Sequence, residues 1–156
     1  MLVNHAWNYL SGGLLDIDPE RFEGMWRVAA YGGFLCSQAV VPDMLDNDDG
    51  GTVISTGATS ALRGPANGLA FGSAKFAVRG MAESMARDLG PEGIHVAHVI
   101  IDGQNLTPRA REQHPDRDAE TFLDPDAVAE SYWHLVEQER SSWTLEVDLR
   151  SHVEKF

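Results

Sequence analysis

The apolar positions of the chain fall into two periods. Phe22, Met25, Val28, Ala29, Leu35, Cys36 and Ala39 recur at helical spacing and predict a helix over residues 19–44. Its start is marked by an Asp cap, Pro19 at the first helical position and Glu20 in the first turn. Gly32-Gly33 inside it costs about 1 kcal/mol per glycine relative to alanine, which points to close approach by another backbone or helix. Phe71, Ala74, Val78, Met81, Ala82, Met85 and Leu89 predict a second helix over 70–89, stopped by Gly90-Pro91. Asp124-Pro125-Asp126 opens a third, carried by Val128, Ala129, Tyr132, Leu135 and Val136. The other period is that of strands. Residues 2–6 form a short apolar stub, 52–56 a buried strand, and 94–101 a nearly unbroken β-branched run, as in a parallel strand covered on both faces. Residues 143–149 alternate apolar and polar, as a half-exposed strand does. Segment 57–68 reads as a loop of small residues, and 102–121 as a polar loop of a length found in lids or disordered segments. Strands alternating with helices predict an α/β fold around a parallel sheet, in one domain without internal repeats.

Composition narrows the functional classes. Twenty-four acidic residues against 12 basic ones give a net charge of −12, so the basic footprint of a nucleic-acid binder is missing. An anionic membrane surface would repel the chain, and no apolar run approaches the roughly 18–20 residues needed to cross a bilayer. Acid with scarce lysine (only Lys75 and Lys155) fits either plain solubility or a salt-rich setting. Met1 leads straight into Leu2-Val3-Asn4-His5 without a signal-peptide pattern, and the single cysteine, Cys36, has no partner for an internal disulfide. Both features lead us to expect a cytoplasmic protein. Cys36 falls in the apolar pattern of its helix and reads as a buried, inert thiol. No metal site is expected. The acidic turn 46–50 has Gly57 where a calcium loop needs Glu, and His95 and His98 fall on opposite faces of a strand as core or cross-strand residues. Trp133 and Trp143 read as packing anchors.

Several segments, in order, resemble the short-chain dehydrogenase/reductase family. Leu2-Val3-Asn4-His5-Ala6-Trp7 is similar to that family's L-V-N-N-A-G, and Phe34-Leu35-Cys36-Ser37-Gln38-Ala39 to the middle of its long interface helix. Phe71-Gly72-Ser73-Ala74-Lys75 takes the place of Y-x-x-x-K. Residues 89–96 resemble the helix end and strand that follow, and Asp102-Gly103-Gln104-Asn105-Leu106-Thr107 resembles P-G-x-x-x-T. The tail 143–150 resembles the ending of a subgroup with Phe at the catalytic Tyr position. The resemblance implies a truncated doubly wound, Rossmann-like parallel sheet of about four strands lacking the N-terminal cofactor-binding half. Residues 1–156 then form one partial domain of this family.

What the resemblance implies for function is specific. It implies NAD or NADP as cofactor and hydride transfer between carbonyl and alcohol. Lys75 takes the place of the lysine that lowers the Tyr pKa and holds the nicotinamide ribose; the alternative is an ammonium lying in water along the helix. Phe71 stands at the Tyr position, Ala58 at the Ser position and Ala29 at the Asn position, so three of four catalytic roles lack their functional group. Thr59 or Ser60 offers a displaced hydroxyl, which otherwise bonds its own loop. Asn4 and Ala6 would line the adenosine, and Gly103, Asn105 and Thr107 would meet the carboxamide. His5 and Trp7 depart from the usual Asn and Gly, and Asp102 replaces Pro. Two functions follow: an oxidoreductase fragment with impaired or no activity alone, or a non-catalytic module that pairs with a copy of itself or a full-length relative through helices 19–44 and 70–89. Either way, the strand at 2–6 is expected to be an exposed edge that lowers solubility.

Overall fold

A computed structural model describes residues 1–154; Lys155 and Phe156 lie outside the described residues. Strands β1 (Leu2–Asn4), β2 (Gly51–Thr56), β3 (Ile94–Asp102) and β4 (Glu146–Arg150) form one parallel sheet in the order β1-β2-β3-β4. Each strand follows its neighbour in sequence, so every connection is a crossover and helices must cover the faces. Between β1 and β2 run α1 (Pro19–Trp26) and α2 (Gly32–Leu45); α3 (Leu69–Leu89) joins β2 to β3. Between β3 and β4 lie α4 (Pro108–Gln113) and α5 (Pro125–Val136).

The apolar runs of β2 and β3 face two cores. On one side Val53, Ile94 and Val96 meet Met44 of α2 and Ala82 of α3. On the other, Ile54, Ala97 and Val99 meet Leu135 of α5, with Tyr132 and Val136 packed beside them. A third cluster joins the helices to one another through Met25, Ala29, Ala30, Ala70, Ala74 and Val78. Small residues dominate that cluster, which lets α3 lie close to the α1–α2 segment. Asp18 caps α1 by accepting from the Glu20 and Arg21 amides at 3.0 and 3.2 Å, and Asp124 caps α5 in the same way.

Several expectations are corrected. The helix expected over 19–44 is interrupted by a π-helical turn, Arg27–Tyr31, closed by the Gly32 amide on the Arg27 carbonyl. One extra residue per turn shifts the buried stripe without breaking it. The 102–121 loop is ordered: it holds α4 and a 3₁₀ turn, and Arg117 donates to the Thr121 carbonyl at 2.8 Å while stacking on Phe122. β1 ends at Asn4, and β4 begins at Glu146 rather than Trp143. Cys36 is exposed, because Gly33, Ser37 and Met44 form the inward side of α2 and Cys36 lies on its flank. Trp133 is 55% exposed; Tyr132, Leu135 and Val136 take the packed side of α5. Trp143 does pack, stacked on His95 with ring centroids 4.9 Å apart. The close backbone approach expected at Gly33 is not found: a Cβ there would meet only the side chains of Met81 and Asn4, at ordinary contact distances of 3.7 and 3.8 Å.

Candidate functional site

The candidate site lies where β1, β2 and β3 end and α3 begins, the edge at which parallel sheets hold ligands. Phe71 and Lys75 stand one turn apart on α3 and share a face. Lys75 is 3% exposed, and its Nζ donates to the Thr56 carbonyl at 2.8 Å. The ammonium is therefore turned inward onto the end of β2, which corrects the water-facing reading. Burial pushes its pKa down to about 8. Its Nζ sits 5.7 Å from the Phe71 ring centroid, and Trp7 and Tyr9 meet that ring edge-on at 5.7 and 5.5 Å. The face of the ring stabilises the neighbouring cation, but it carries no exchangeable proton.

Thr56 ties three titratable side chains together. Its carbonyl holds Lys75; its hydroxyl lies 3.0 Å from His5 Nδ1 and 2.8 Å from the Tyr132 hydroxyl. Burial raises the Tyr132 pKa, whereas burial and then the Lys75 charge lower that of His5. After β2, the Gly57 amide donates to the Val99 carbonyl at 2.7 Å. Ala58 precedes a 3₁₀ turn, Thr59–Ala61, where Ser60 is buried and the Thr59 hydroxyl bonds the Asp102 carboxylate. Beneath Gly57 lies His98, 1% exposed, with its Nδ1 2.9 Å from Glu146 Oε2. Glu146 is gripped by Arg79 at 2.6 and 3.0 Å, and that pairing keeps its carboxyl below the ordinary range. Burial lowers the His98 pKa, and its Nε2 finds no hydrogen-bond partner among the described residues.

The sequence-predicted residues are only partly brought together. Lys75 and Phe71 meet, and Ala29 lies in the π-helical turn within the helical cluster against which Phe71 packs. Asn4 is turned under α2, where its side-chain amide donates to Ser37 Oγ at 3.3 Å, while Ala6 is exposed just beyond β1. Gly103 follows β3 with φ +143°. Asn105 pairs its backbone segment with Leu123, and its Oδ1 is buried without a partner among the described residues. Thr107 caps α4, its hydroxyl accepting from the Ala110 amide at 3.1 Å. The clusters His5–Thr56–Tyr132 and Arg79–Glu146–His98 escape sequence reading. Their linked members are 51, 76, 67 and 48 residues apart, and only the unusual His5 in the β1 motif gives a local sign.

The fit to a nicotinamide dinucleotide divides along its length. At the ribose and carboxamide end a buried ammonium and the unpartnered Asn105 oxygen are available. The pyrophosphate needs a glycine turn leading from a strand into a helix N-terminus. Gly12-Gly13 does not supply one: Gly12 bridges to Gly68, and α1 begins only at Pro19.

Comparison with known proteins places these observations. A family model described as short chain dehydrogenase matches residues 1–118. Over 99 residues the chain is 32% identical to 3alpha-hydroxysteroid dehydrogenase of Mediterraneibacter gnavus, a match covering 64% of this chain and 39% of that protein. A short-chain dehydrogenase structure from Rhodopseudomonas palustris is 34% identical with a TM-score of 0.78, covering 95% of this chain and 60% of that one. A closed serine dehydrogenase complexed with NADP+ is 20% identical and matches in fold, with a TM-score of 0.86 over 99% of this chain and 66% of that one. The chain thus spans about two fifths of the length of the steroid dehydrogenase it matches.

Proposed function

The chain belongs to the short-chain dehydrogenase family, and on that premise we propose that it is the nicotinamide side of an NAD(P)-dependent oxidoreductase acting on a carbonyl or alcohol. The observation that carries this reading is Lys75, a buried ammonium held at 2.8 Å on the last carbonyl of β2, at the ligand-binding edge of the sheet. A buried charge is costly to keep, so its retention speaks for a use. Lys75 would hold the nicotinamide ribose; Gly103, Asn105 and Thr107 would meet the carboxamide; Asn4 and Ala6 would border the adenosine. A bound nicotinamide supplies hydride transfer. The chain supplies orientation and the charge of Lys75, beside an apolar wall of Trp7, Tyr9 and Phe71. Phe71, Ala58 and Ala29 carry no proton donor, and loss of one general acid costs roughly 10²–10⁴ in rate, so turnover is expected to be slow.

Fluorescence titration with NADH and NADPH tests the reading. Weak binding is expected, at least tenfold weaker in Lys75→Met, about the worth of one charge-assisted hydrogen bond. Absence of binding at millimolar cofactor would remove it.

A second reading has its own observation. Trp26, Tyr31 and Phe34 form an exposed ladder of stacked rings along the outer side of the α1–α2 segment, with Leu35 and Phe76 exposed as well. Such a face suits a non-catalytic association module that pairs with another copy or a full-length relative through helices 19–44 and 70–89.

A further inference from the structure

We propose that His5 is the acid–base residue of this site, an imidazole held by the Thr56 and Tyr132 hydroxyls beside Lys75, which takes the role that Phe71 has no proton to fill. The inference rests on the oxidoreductase reading above. A carbonyl or alcohol oxygen exchanging a proton near neutral pH needs a group that titrates there. Around Lys75 the Thr59 hydroxyl is engaged by Asp102, Ser60 is buried, and Phe71 is a hydrocarbon. His5 is exposed at the end of β1, with Nδ1 tied to Thr56 and no bond from Nε2 to any described residue.

The proton step sets which tautomer the hydrogen-bond chain must hold. Tyr132 is a half-buried phenol whose hydroxyl lies 2.8 Å from that of Thr56, a contact in which either oxygen can donate. Thr56 can therefore donate to Tyr132 and accept from Nδ1–H of His5. With its proton held on Nδ1 in this way, neutral His5 presents the lone pair of Nε2, the outward atom. Two titratable groups face the imidazole: Lys75 from α3, whose positive charge makes the imidazolium a readier acid, and Tyr132 from α5, through Thr56. Here position 71 holds no phenol, and an imidazole stands at the same edge of the sheet.

The step assigned to His5 is the proton alone. As a carbonyl is reduced, its π electron pair moves onto oxygen, with a reduced nicotinamide dinucleotide as the reductant. The Nε2–H bond of the imidazolium breaks as the O–H bond of the alcohol forms, and solvent reprotonates the imidazole. In oxidation the imidazole takes the hydroxyl proton.

Two measurements on the whole chain test this. Nitrogen-15 NMR should find neutral His5 protonated on Nδ1, with a midpoint below that of a free imidazole that rises in Lys75→Met. Thr56→Val should mix the tautomers. With millimolar NADH or NADPH and a ketone panel, His5→Asn should lower kcat by about 100-fold and abolish the acidic limb of the pH profile, leaving cofactor KM unchanged. His5→Gln should behave likewise, which separates chemistry from local folding. Turnover in the parent chain that survives His5→Asn, or a His5 midpoint insensitive to Lys75→Met, overturns the inference and leaves the oxidoreductase reading standing. A parent chain without any turnover overturns both.

Discussion

A buried lysine at the mouth of a sheet is a stability liability with a measurable signature. Lys75 has its folded-state pKa pushed down to about 8 from an ordinary 10.5. Between those values the unfolded chain holds the proton and the folded chain releases it. The unfolded state thus binds more protons, and stability rises with pH across this window. The full rise is of the order of 3 kcal/mol. Urea unfolding from pH 7 to 10 should show that climb, and Lys75→Met should flatten it while stabilising the protein at pH 7. A flat profile in the parent chain would mean that the ammonium is better solvated than its burial implies. Lys75 itself was legible in the sequence, because Phe71 and Lys75 keep the i, i+4 spacing of a known motif. His5, Thr56 and Tyr132 were not. Nothing in a strand stub, a strand end and a helical stripe says that three such residues converge, since convergence is set by the packing of β1, β2 and α5.

At the scale of elements, the turn that leaves β2 is shaped by a side chain from β3. A Cβ on Gly57 would stand 2.3 Å from Nε2 of His98, and His98 has no room to yield because Glu146 and Arg79 hold its other end. Gly57→Ala should therefore cost about 2 kcal/mol by overpacking. The same change in a His98→Ala background should cost little, and a double-mutant cycle in urea would expose the coupling. Equal costs in both backgrounds would assign the glycine's role to its backbone instead. Helices and strands with one strong period were readable: α3, α5, β2 and β3 fall where spacing put them. The π-helical turn was not, because an apolar stripe survives the insertion of one residue. The 102–121 segment was read as a loop for lack of apolar period, yet α4 needs only the Thr107 cap, Pro108 and the buried Ala110 to form.

The whole molecule combines a net charge of −12 with an apolar face that a solitary domain of this size rarely leaves in water. The stacked rings of Trp26, Tyr31 and Phe34 have centroids 6.5 and 6.1 Å apart along one side of the helical layer. A second exposed feature is the outer edge of β1, only three residues long. The two predict different assemblies. A helix face meeting its own copy is isologous and closes at a defined size, whereas strand edges template open-ended growth. The rings offer far more apolar area than a three-residue edge, so a discrete oligomer is the expected state at micromolar concentration. Like-charged chains repel at long range and salt screens that repulsion, so added sodium chloride should tighten the association. Light scattering behind size exclusion reads both effects. Phe34→Glu plants a charge in the ladder and should shift the chain to monomer. Association that survives Phe34→Glu and grows without a fixed size would move the contact to the β1 edge. A parent chain that is monomeric at all salt concentrations would remove the association reading and leave Lys75 and its neighbours to carry the function.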